Sequence, residues 1–376
     1  MSDFLDFAKL PLLSSAQIVH SNENIEIKVK YSIKDYVQDE RKRTLESNVL
    51  LDPKLSPIFH STPLENEKSV KNVFTSLNGK YSVVQKMIDD KLYCEIWKDK
   101  VMTHNFQVKE HGPFSTDSVF GNGAFNESRG LLVYTPEMKR PEKDEKDFLY
   151  RSDWGERYTG KFHSCICVLD LNNGSIKMET FQKICPADIQ FVGNDKLVFT
   201  GYKKDPRQYG LAACMNRHSA IYVCSIDNFA EDNVQALRSP FESSRSPRVS
   251  HCGQKIAFLS NKPSGAHYAT AGLFVYDLIL DTFSTLIPIE KQVIEGFPGI
   301  YTDKLPQNCW IGSNIIFHSI WRTKQSIFLV DSSNGKVVDL FPGNTSCSIL
   351  HVNSNLVLAH TSSPISIPQL VQVTYV

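Results

Sequence analysis

The sequence of 376 residues has no long apolar run, no excess of basic charge and no basic leader. No stretch approaches the roughly 20 apolar residues that a helix needs to cross a bilayer, so no membrane partner is predicted. The N-terminus carries Asp3 and Asp6 where a secretory signal carries basic residues. Because 41 Lys and Arg balance 41 Asp and Glu, the basic surface that a nucleic-acid partner requires is not indicated. We expect a cytoplasmic protein.

The motifs of common hydrolases and metal sites are also missing. A nucleophile elbow, Gly-x-Ser-x-Gly, needs two glycines four positions apart, and none of the 19 glycines are spaced in this way. A catalytic triad can be built without this motif, but no pattern in the sequence indicates one. His-Glu-x-x-His is absent, and the 11 histidines lack ligand spacing. We therefore predict no catalytic residue, no metal and no cofactor in this chain.

The nine cysteines are odd in number and scattered along the chain. Cys165 and Cys167 are two positions apart, which is the spacing of neither a redox pair nor a zinc site. We interpret the cysteines as reduced, mostly buried thiols of a cytosolic protein.

Residues 155–161 match most of a phosphate-binding loop. The full motif places Ser or Thr after the lysine to hold Mg²⁺, but Phe162 follows Lys161 here. The segment also lies between predicted strands, not between a strand and a helix. We interpret the match as a coincidence. The alternative, a nucleotide-binding protein, predicts measurable nucleotide affinity.

A short apolar strand that recurs along the chain is the main positive feature of the sequence. Each copy is rich in β-branched, aromatic and aliphatic residues, which favour a pleated strand. The copies are aligned by Val168, Val223, Val275 and Val330 and repeat at about 50 residues, the period of propeller blades. Six units are clear, and the N-terminal strands can supply a seventh that closes the ring. The sequence therefore predicts an all-β fold, a seven-bladed β-propeller.

The N-terminal arm is predicted to be helical. Phe4, Phe7 and Ala8 share one face of a helix over residues 2–10, and Pro11 ends it. We place the arm at residues 1–17 and the propeller at residues 18–376. The arm either packs on its own propeller or docks on another domain or chain.

A charged segment, residues 137–147, is predicted to be a solvated excursion from a blade.

Polar and aromatic residues cluster in three long connections between the strands: 152–156, 207–219 and 296–310. Such connections lie at the faces of a propeller, where propellers bind other molecules. The candidates for binding or for a domain interface are Asp153, Trp154, Glu156 and Arg217. The alternative is that Trp154 and Trp310 only pack, and that Asp153 and Arg217 pair locally.

The same clusters resemble a known family. The segments that carry the resemblance are Asp153-Trp154-Gly155-Glu156, residues 216–222, residues 299–301, Leu305-Pro306 and Cys309-Trp310. In order and approximate spacing they resemble the non-catalytic half of acylaminoacyl-peptidase, also called acylamino-acid-releasing enzyme. The resemblance covers about residue 70 to the C-terminus and is weaker in the arm.

This resemblance implies a fold and an activity. Family members are prolyl-oligopeptidase-like serine peptidases that remove an N-acylated amino acid from a short peptide. They combine a short N-terminal helix, a seven-bladed propeller and an α/β-hydrolase domain with the catalytic Ser, Asp and His. The propeller limits access to small peptides, and the enzymes are cytosolic and commonly oligomeric. The implied partners are N-acylated peptides, a hydrolase domain and further copies of the chain.

Only the arm and propeller of the family are matched, and the α/β-hydrolase catalytic domain is absent from the sequence. No catalytic residue can be carried over, which agrees with the missing nucleophile elbow. We expect a propeller portion that is inactive alone, gates substrate access and supports assembly. In that case the apolar arm lacks the hydrolase surface on which it packs in the family. The alternative is a stand-alone scaffold propeller that binds a peptide or protein. An in-frame continuation with Gly-x-Ser-x-Gly after Val376 favours the first hypothesis.

Overall fold

The fold is a ring of seven antiparallel sheets. The computed structural model of the chain describes residues 11–21, 24–35, 41–140, 152–205, 207–263, 265–290, 296–353 and 356–374. Each sheet is one blade, and the strands within it follow chain order, apart from one short extra strand in the first. The seven-bladed β-propeller predicted from the repeat is confirmed.

The strands of blades 1 to 3 run from Leu12 to Glu179. Blade 1 holds β1 Leu12–Ser21, β2 Asn24–Asp35, β3 Arg41–Leu51, β4 Pro57–His60 and β5 Leu64–Glu65. Blade 2 holds β6 Val70–Thr75, β7 Tyr81–Ile88, β8 Lys91–Lys98 and β9 Val101–Val108. Blade 3 holds β10 Gly123–Asn126, β11 Leu131–Tyr134, β12 Ile166–Asp170 and β13 Ile176–Glu179.

The strands of blades 4 to 7 complete the ring. Blade 4 holds β14 Ile184–Val192, β15 Lys196–Lys203, β16 Ser219–Ser225 and β17 Gln235–Ala236. Blade 5 holds β18 Ser244–Val249, β19 Lys255–Ser260, β20 Gly272–Asp277 and β21 Thr282–Ile287. Blade 6 holds β22 Trp310–Ile311, β23 Asn314–Trp321, β24 Lys324–Asp331 and β25 Val337–Asp339. Blade 7 holds β26 Ser346–Asn353, β27 Leu356–Ser363 and β28 Ser366–Thr374.

The repeat has a simple structural origin. The four aligned valines lie in the third strands of blades 3 to 6, where they pair with the second strands: Val168, Val223, Val275 and Val330. Neighbouring blades cover both faces of these middle strands, so the strands are almost continuously apolar, as in residues 256–259. Apolar clusters fill the seams between successive blades from 2 to 7. The core is therefore a series of interfaces, not one central mass.

The ring closes by side-chain packing between blades 7 and 1. Ala16, Ile18 and Val29 of blade 1 pack with Leu356 and Leu358 of blade 7. Among the described strands, β1 pairs with β2 and no strand is shared between blades 1 and 7. Closure therefore depends on apolar burial, which is the main favourable term in folding.

Two histidines join the seams on either side of blade 7. The Nδ1 atom of His351 accepts a hydrogen bond from the backbone N–H of Ile18 at 3.3 Å, and that of His318 accepts from the N–H of Ile349 at 3.1 Å. A protonated ring cannot accept at this nitrogen. Burial lowers the pKa of both histidines to about 4, which keeps the rings neutral at physiological pH.

We expect acid to weaken these seams. In the unfolded chain the two histidines titrate near the ordinary pKa of 6.5. The unfolded state therefore binds more protons between pH 6.5 and about 4, and stability falls as the pH falls through this window. Each histidine contributes up to about 1.4 kcal/mol per pH unit. Urea unfolding at several pH values measures the effect. His351→Gln should flatten the dependence, because an amide oxygen accepts without titrating, whereas exposed His60→Gln should not. An equally steep dependence in His351→Gln would contradict the assignment.

The N-terminal boundary differs from the expectation. The predicted helix over residues 2–10 lies outside the described residues. Strand β1 begins at Leu12, so residues 12–17 belong to blade 1 and not to the arm. Their pairing with β2 includes Gln17 opposite Lys28. The boundary at residue 18 was wrong because Ser14 and Ser15 interrupt the alternation of apolar residues at a bulge.

The prediction that residues 137–147 form a solvated excursion is also partly corrected. Glu137 at its start is buried, and its Oε2 atom accepts hydrogen bonds from the backbone N–H groups of Phe162 and His163, both at 3.2 Å. Burial raises the pKa of this carboxyl group. Residues 141–147 of the excursion lie outside the described residues. Within the described ranges the helical turns are 3₁₀ turns, Glu156–Tyr158 and Glu231–Asn233, and no helix there could span a bilayer.

Candidate functional site at the loop face of blades 3 to 6

The long connections of blades 3 to 6 emerge on one face of the propeller. Because the strands are antiparallel, the link between two blades and the link between second and third strands leave on the same side. The described residues of these links, which together we call the loop face, are 109–122, 135–140, 152–165, 204–205, 207–218, 261–263, 265–271, 288–290 and 296–309. All three predicted clusters lie on it.

The first strand of each blade lines the central channel, and five of these strands are bulged, among them β14 and β18. Register shifts occur between Ala187 and Gln190 in β14 and between Arg245 and Arg248 in β18. Asp188 and Ser246 occupy equivalent bulge positions with φ of 50° and 59°, a region that residues other than glycine rarely adopt. Bulges of this kind redirect side chains and are common beside functional sites. Here they direct polar groups toward the channel.

A segment of the 288–309 connection crosses the channel, and two buried arginines hold it. We call residues 302–308 the cross-channel segment. Arg245 donates from Nε to the Asp303 carbonyl at 2.8 Å and from Nη2 to the Thr302 carbonyl at 3.1 Å. Arg248 donates to the Leu305 and Pro306 carbonyls, both at 2.8 Å. Each guanidinium group thus donates two or more hydrogen bonds to main-chain oxygens of this segment, and Arg245 also donates to Met215 and Asn261.

The cross-channel segment reaches blades on the other side of the ring. Lys304 Nζ donates to the Ser118 carbonyl at 2.8 Å, and Gln307 Nε2 donates to the Gly123 carbonyl at 2.8 Å. The Gln307 carbonyl accepts from Gln190 of blade 4 at 2.9 Å. The segment that leads from blade 5 into blade 6 is therefore hydrogen-bonded to blades 3, 4 and 5.

Two cavities lie on either side of this segment. One of about 440 Å³ is lined by loop-face residues, among them Tyr268 and Tyr301. The other, of about 710 Å³, is lined by turns at the opposite face, including residues 250–253. Both have Gln307 and Asn308 in their walls. The cross-channel segment is thus the partition between them.

Trp154 is a packing residue. It is only 2% exposed, and its ring centroid lies 6.2 Å from that of Phe120 and 5.8 Å from that of Tyr202. Tyr158 and Leu211 complete this aromatic cluster beneath the loop face. Trp310 is also buried, and its Nε1 donates to the Arg248 carbonyl at 2.9 Å. Both tryptophans are thus buried in the structure, and a binding role for Trp154 stays a prediction.

Asp153 and Arg217 each stabilise their own loop. The Asp153 carboxylate accepts hydrogen bonds from the N–H groups of Gly155 at 3.0 Å and Gly160 at 2.8 Å. Arg217 Nε donates to the Gly210 carbonyl at 2.7 Å, and its guanidinium lies over the Tyr209 ring. The two loops touch, but within the described ranges Asp153 and Arg217 form no ion pair with each other, and the partners of each are local, as the alternative has it.

The loops meet at a pair of glycines. Gly155 has a φ of 86°, and a Cβ atom there would lie 2.9 Å from the Gly210 Cα. A side chain at this position is thus excluded both by the backbone conformation and by the contact. Glu156 follows it as an exposed residue at the start of the 3₁₀ turn. Of the four predicted residues, Glu156 is exposed, Asp153 and Arg217 are half-buried, and Trp154 alone is buried.

Residues 155–161, which match most of a phosphate-binding loop, do not have the structural setting of such a loop. Residues 155–161 contain a single 3₁₀ turn, not the start of a helix on which a phosphate could be held. Lys161 forms an ion pair with Asp117. This setting supports the interpretation that the match is a coincidence.

The buried charged residues around the cross-channel segment were not predicted from the sequence. Asp188, Arg245 and Arg248 are each 5% exposed or less, although all three lie in predicted or observed strands. Asp188 accepts from Asn122 at 2.8 Å and lies 3.4 Å from Arg248. A charged residue inside an otherwise apolar strand could have indicated them. Such a residue is seldom buried without a partner, so it points to a buried pair.

The described histidine, cysteine and carboxylate side chains form neither a metal site nor a disulfide. The described ranges contain no group of three or more His, Cys, Asp or Glu residues that could hold a metal ion. All nine cysteines are free and seven are buried, whereas Cys214 is half-buried and Cys252 is exposed. Burial raises the pKa of Cys94 to about 12 and that of Cys185 to about 11, so both stay protonated.

Known proteins place the chain in a family. Residues 146–376, more than half of the chain, match the family model described as acylamino-acid-releasing enzyme, N-terminal domain. The chain belongs to this family. The resemblance inferred from the loop motifs is thereby confirmed, and three of those motifs coincide with the loop face and its cross-channel segment.

Similar full-length proteins are longer than this chain. The mouse acylamino-acid-releasing enzyme is 27% identical over 321 residues, covering 75% of this chain and 43% of the mouse protein. Acylamino-acid-releasing enzyme 2 of rice is 28% identical over an alignment of 444 residues, covering 97% of this chain and 57% of the rice protein. The chain thus spans about half the length of the curated relatives it matches.

Solved structures share the fold. The acylaminoacyl peptidase of Pyrococcus horikoshii superposes with a TM-score of 0.61 at 13% identity, covering 98% of this chain and 51% of that one. A puromycin-hydrolyzing peptidase of Mycobacterium tuberculosis gives a TM-score of 0.57 at 12% identity, covering 98% and 53%. At these identities the likeness extends to the propeller fold alone.

Proposed function

We propose that this chain is the non-catalytic propeller portion of an acylaminoacyl peptidase, and that it admits short N-acylated peptides at its loop face while excluding longer chains. The observation that carries the proposal is the cross-channel segment. In this proposal the segment obstructs the axis, and the hydrogen bonds that Arg245 and Arg248 make to it hold it in place. Access is then limited to what the loop-face cavity can hold.

The loop-face cavity has the size and walls of a small-ligand site. Its volume of about 440 Å³ falls in the usual range for such pockets. Tyr268 and Tyr301 stack at a centroid distance of 6.2 Å and present aromatic surface to the cavity. Asn122, Gln190 and Lys304 supply polar groups. This mixture suits a short peptide, which offers both amide groups and apolar side chains.

The proposed partners are short N-acylated peptides, an α/β-hydrolase domain of the kind found in the family, and further copies of the chain in a homo-oligomer. The proposed location is the cytoplasm. Nine free cysteines support a reducing compartment. In this proposal catalysis belongs to the hydrolase domain, since no residue of the loop face is assigned a catalytic role.

Peptide binding tests this proposal. Isothermal titration of the purified chain should show an acetylated tripeptide binding at least about tenfold more tightly than an acetylated 30-residue peptide, because the proposed obstruction by the cross-channel segment excludes the longer chain. The same mixtures should release no acetyl-amino acid, and a fluorophosphonate probe should not label the chain. Tyr268→Ser should weaken tripeptide binding, since this residue lines the cavity and is 43% exposed.

Tyr209→Ser is the matched control. Tyr209 is similarly exposed at 46% and belongs to the same face, but it does not line the cavity. Equal or tighter binding of the long peptide would contradict the proposal and favour a scaffold propeller. Turnover that survives repurification, together with a covalent serine label on this chain, would contradict its non-catalytic role.

A further inference from the structure

Lys304 is a cation of the cross-channel segment with neutral partners. Its Nζ atom donates to the Ser118 carbonyl at 2.8 Å and approaches Asn122 Oδ1 at 3.5 Å. Within the described ranges no carboxylate oxygen lies within 4.0 Å of this ammonium group. An ammonium group has three N–H donors, so these two oxygens leave one donor available. Burial lowers the pKa of Lys304, and the charge of Arg248 lowers it further, against the opposing effect of Asp188.

Positive charge is in excess around this ammonium group. Arg245 and Arg248 are both buried, and Asp188 is the buried carboxylate that faces them. Asp117 is paired with Lys161, and its charge and that of Asp303 act on Lys304 from beyond ion-pair distance. Asp303 lines the same cavity but is exposed. Buried charge without a counter-charge is costly, and a bound anion would supply the missing one.

An N-acylated short peptide has the matching charge. Acylation removes the N-terminal positive charge. A peptide with uncharged side chains then carries a single charge at neutral pH, the negative charge of its C-terminal carboxylate. That group offers two oxygens with about four acceptor positions, enough for the available donor of Lys304 and for a neighbouring donor.

The cavity has this charge in its wall. Lys304, Asp188 and Arg248 line the same cavity of about 440 Å³ as Tyr268 and Tyr301, and Lys304 belongs to the segment that partitions the channel. We propose that Lys304 binds the free C-terminal carboxylate of the short peptide. This inference rests on the proposed function and adds the group of the peptide that is recognised.

The test compares an acetylated tripeptide acid with the corresponding C-terminal amide. Wild-type chain should bind the acid about tenfold or more tightly by isothermal titration, in the range expected for a hydrogen bond to a charged group. Lys304→Gln should bind both peptides with equal affinity, because the charge is lost. Lys304→Arg should keep the preference. The control is Lys262→Gln, which removes an exposed lysine of the 261–271 connection, outside the cavity, and should leave the preference unchanged.

The outcomes separate this inference from the proposed function. Equal affinity of wild-type chain for acid and amide would overturn the carboxylate site while leaving peptide binding intact. A preference that persists in Lys304→Gln would also overturn it. Binding of neither peptide would overturn the proposed function as well. The acid–amide comparison in wild-type chain decides the matter even if Lys304→Gln fails to fold.

Discussion

Replacement of Arg248 by methionine is expected to lower the free energy of unfolding by about 3–5 kcal/mol, as when one partner of a buried ion pair is removed. The guanidinium donates to the Leu305 and Pro306 carbonyls and lies 3.4 Å from the Asp188 carboxylate. Methionine fills much of the space but donates to none of these oxygens. The carboxylate would then be buried without its cation, and two main-chain carbonyls would lose their donor.

Equilibrium urea unfolding, followed by tryptophan fluorescence, measures this change. Hydrogen exchange gives a local measure: the Leu305 N–H, which donates to Ser246 Oγ at 2.9 Å, should exchange faster in the variant. Arg238→Met is the matched control, because Arg238 pairs with Asp281 at the exposed surface, and its urea midpoint should not change. A midpoint for Arg248→Met equal to that of wild-type chain would show that this arginine does not anchor the cross-channel segment.

Replacement of Trp154 by alanine is expected to cost about 3–5 kcal/mol, the range for truncation of a buried aromatic residue. The indole fills the centre of a cluster with Phe120, Tyr158, Tyr202 and Leu211, and no strand can move in to close the resulting cavity. Since the cluster belongs mainly to the loop face, the far-ultraviolet circular dichroism of the blades should be retained. The near-ultraviolet signal of the packed aromatic rings should be reduced.

Trp154→Phe separates packing from hydrogen bonding. The Trp154 Nε1 atom is buried and has no hydrogen-bond partner among the described atoms. Phenylalanine therefore removes no hydrogen bond and leaves a smaller cavity, and it should cost clearly less than alanine in urea unfolding. Equal losses for the two variants would contradict the packing role and indicate a partner for the indole N–H.

The two predictions concern the same region but different interactions. Arg248 holds the cross-channel segment through charge-assisted hydrogen bonds, whereas Trp154 supports the adjoining loops by apolar contact. Loss of Trp154 should leave the Leu305 N–H protected, because the aromatic cluster does not include the cross-channel segment. Hydrogen exchange on both variants thus tests whether the cross-channel segment and the loops around Trp154 are stabilised independently.

The sequence alone was sufficient for the fold and the family. Strands at a period of about 50 residues, with an aligned valine in the third strands of blades 3 to 6, predict blades because alternation and turn residues act locally. The short motifs of the loop face identified the family, including Trp154 and Arg217. The same local patterns could not distinguish a tryptophan that binds a partner from one that packs beneath the loops, since both are aromatic residues in a polar connection.

The cavity and its charges were decided by the tertiary structure. Arg248 and Leu305 are 57 residues apart in the chain, and Lys304 and Ser118 are 186 apart, yet each pair is joined by a hydrogen bond across the ring. Such contacts depend on how the blades are arranged around the axis, which no local period encodes. The bulges at Asp188 and Ser246 also break the strand alternation from which side-chain direction is predicted. The sequence thus determined a propeller of this family, and the closure of the ring determined that its channel is partitioned and lined with buried charge.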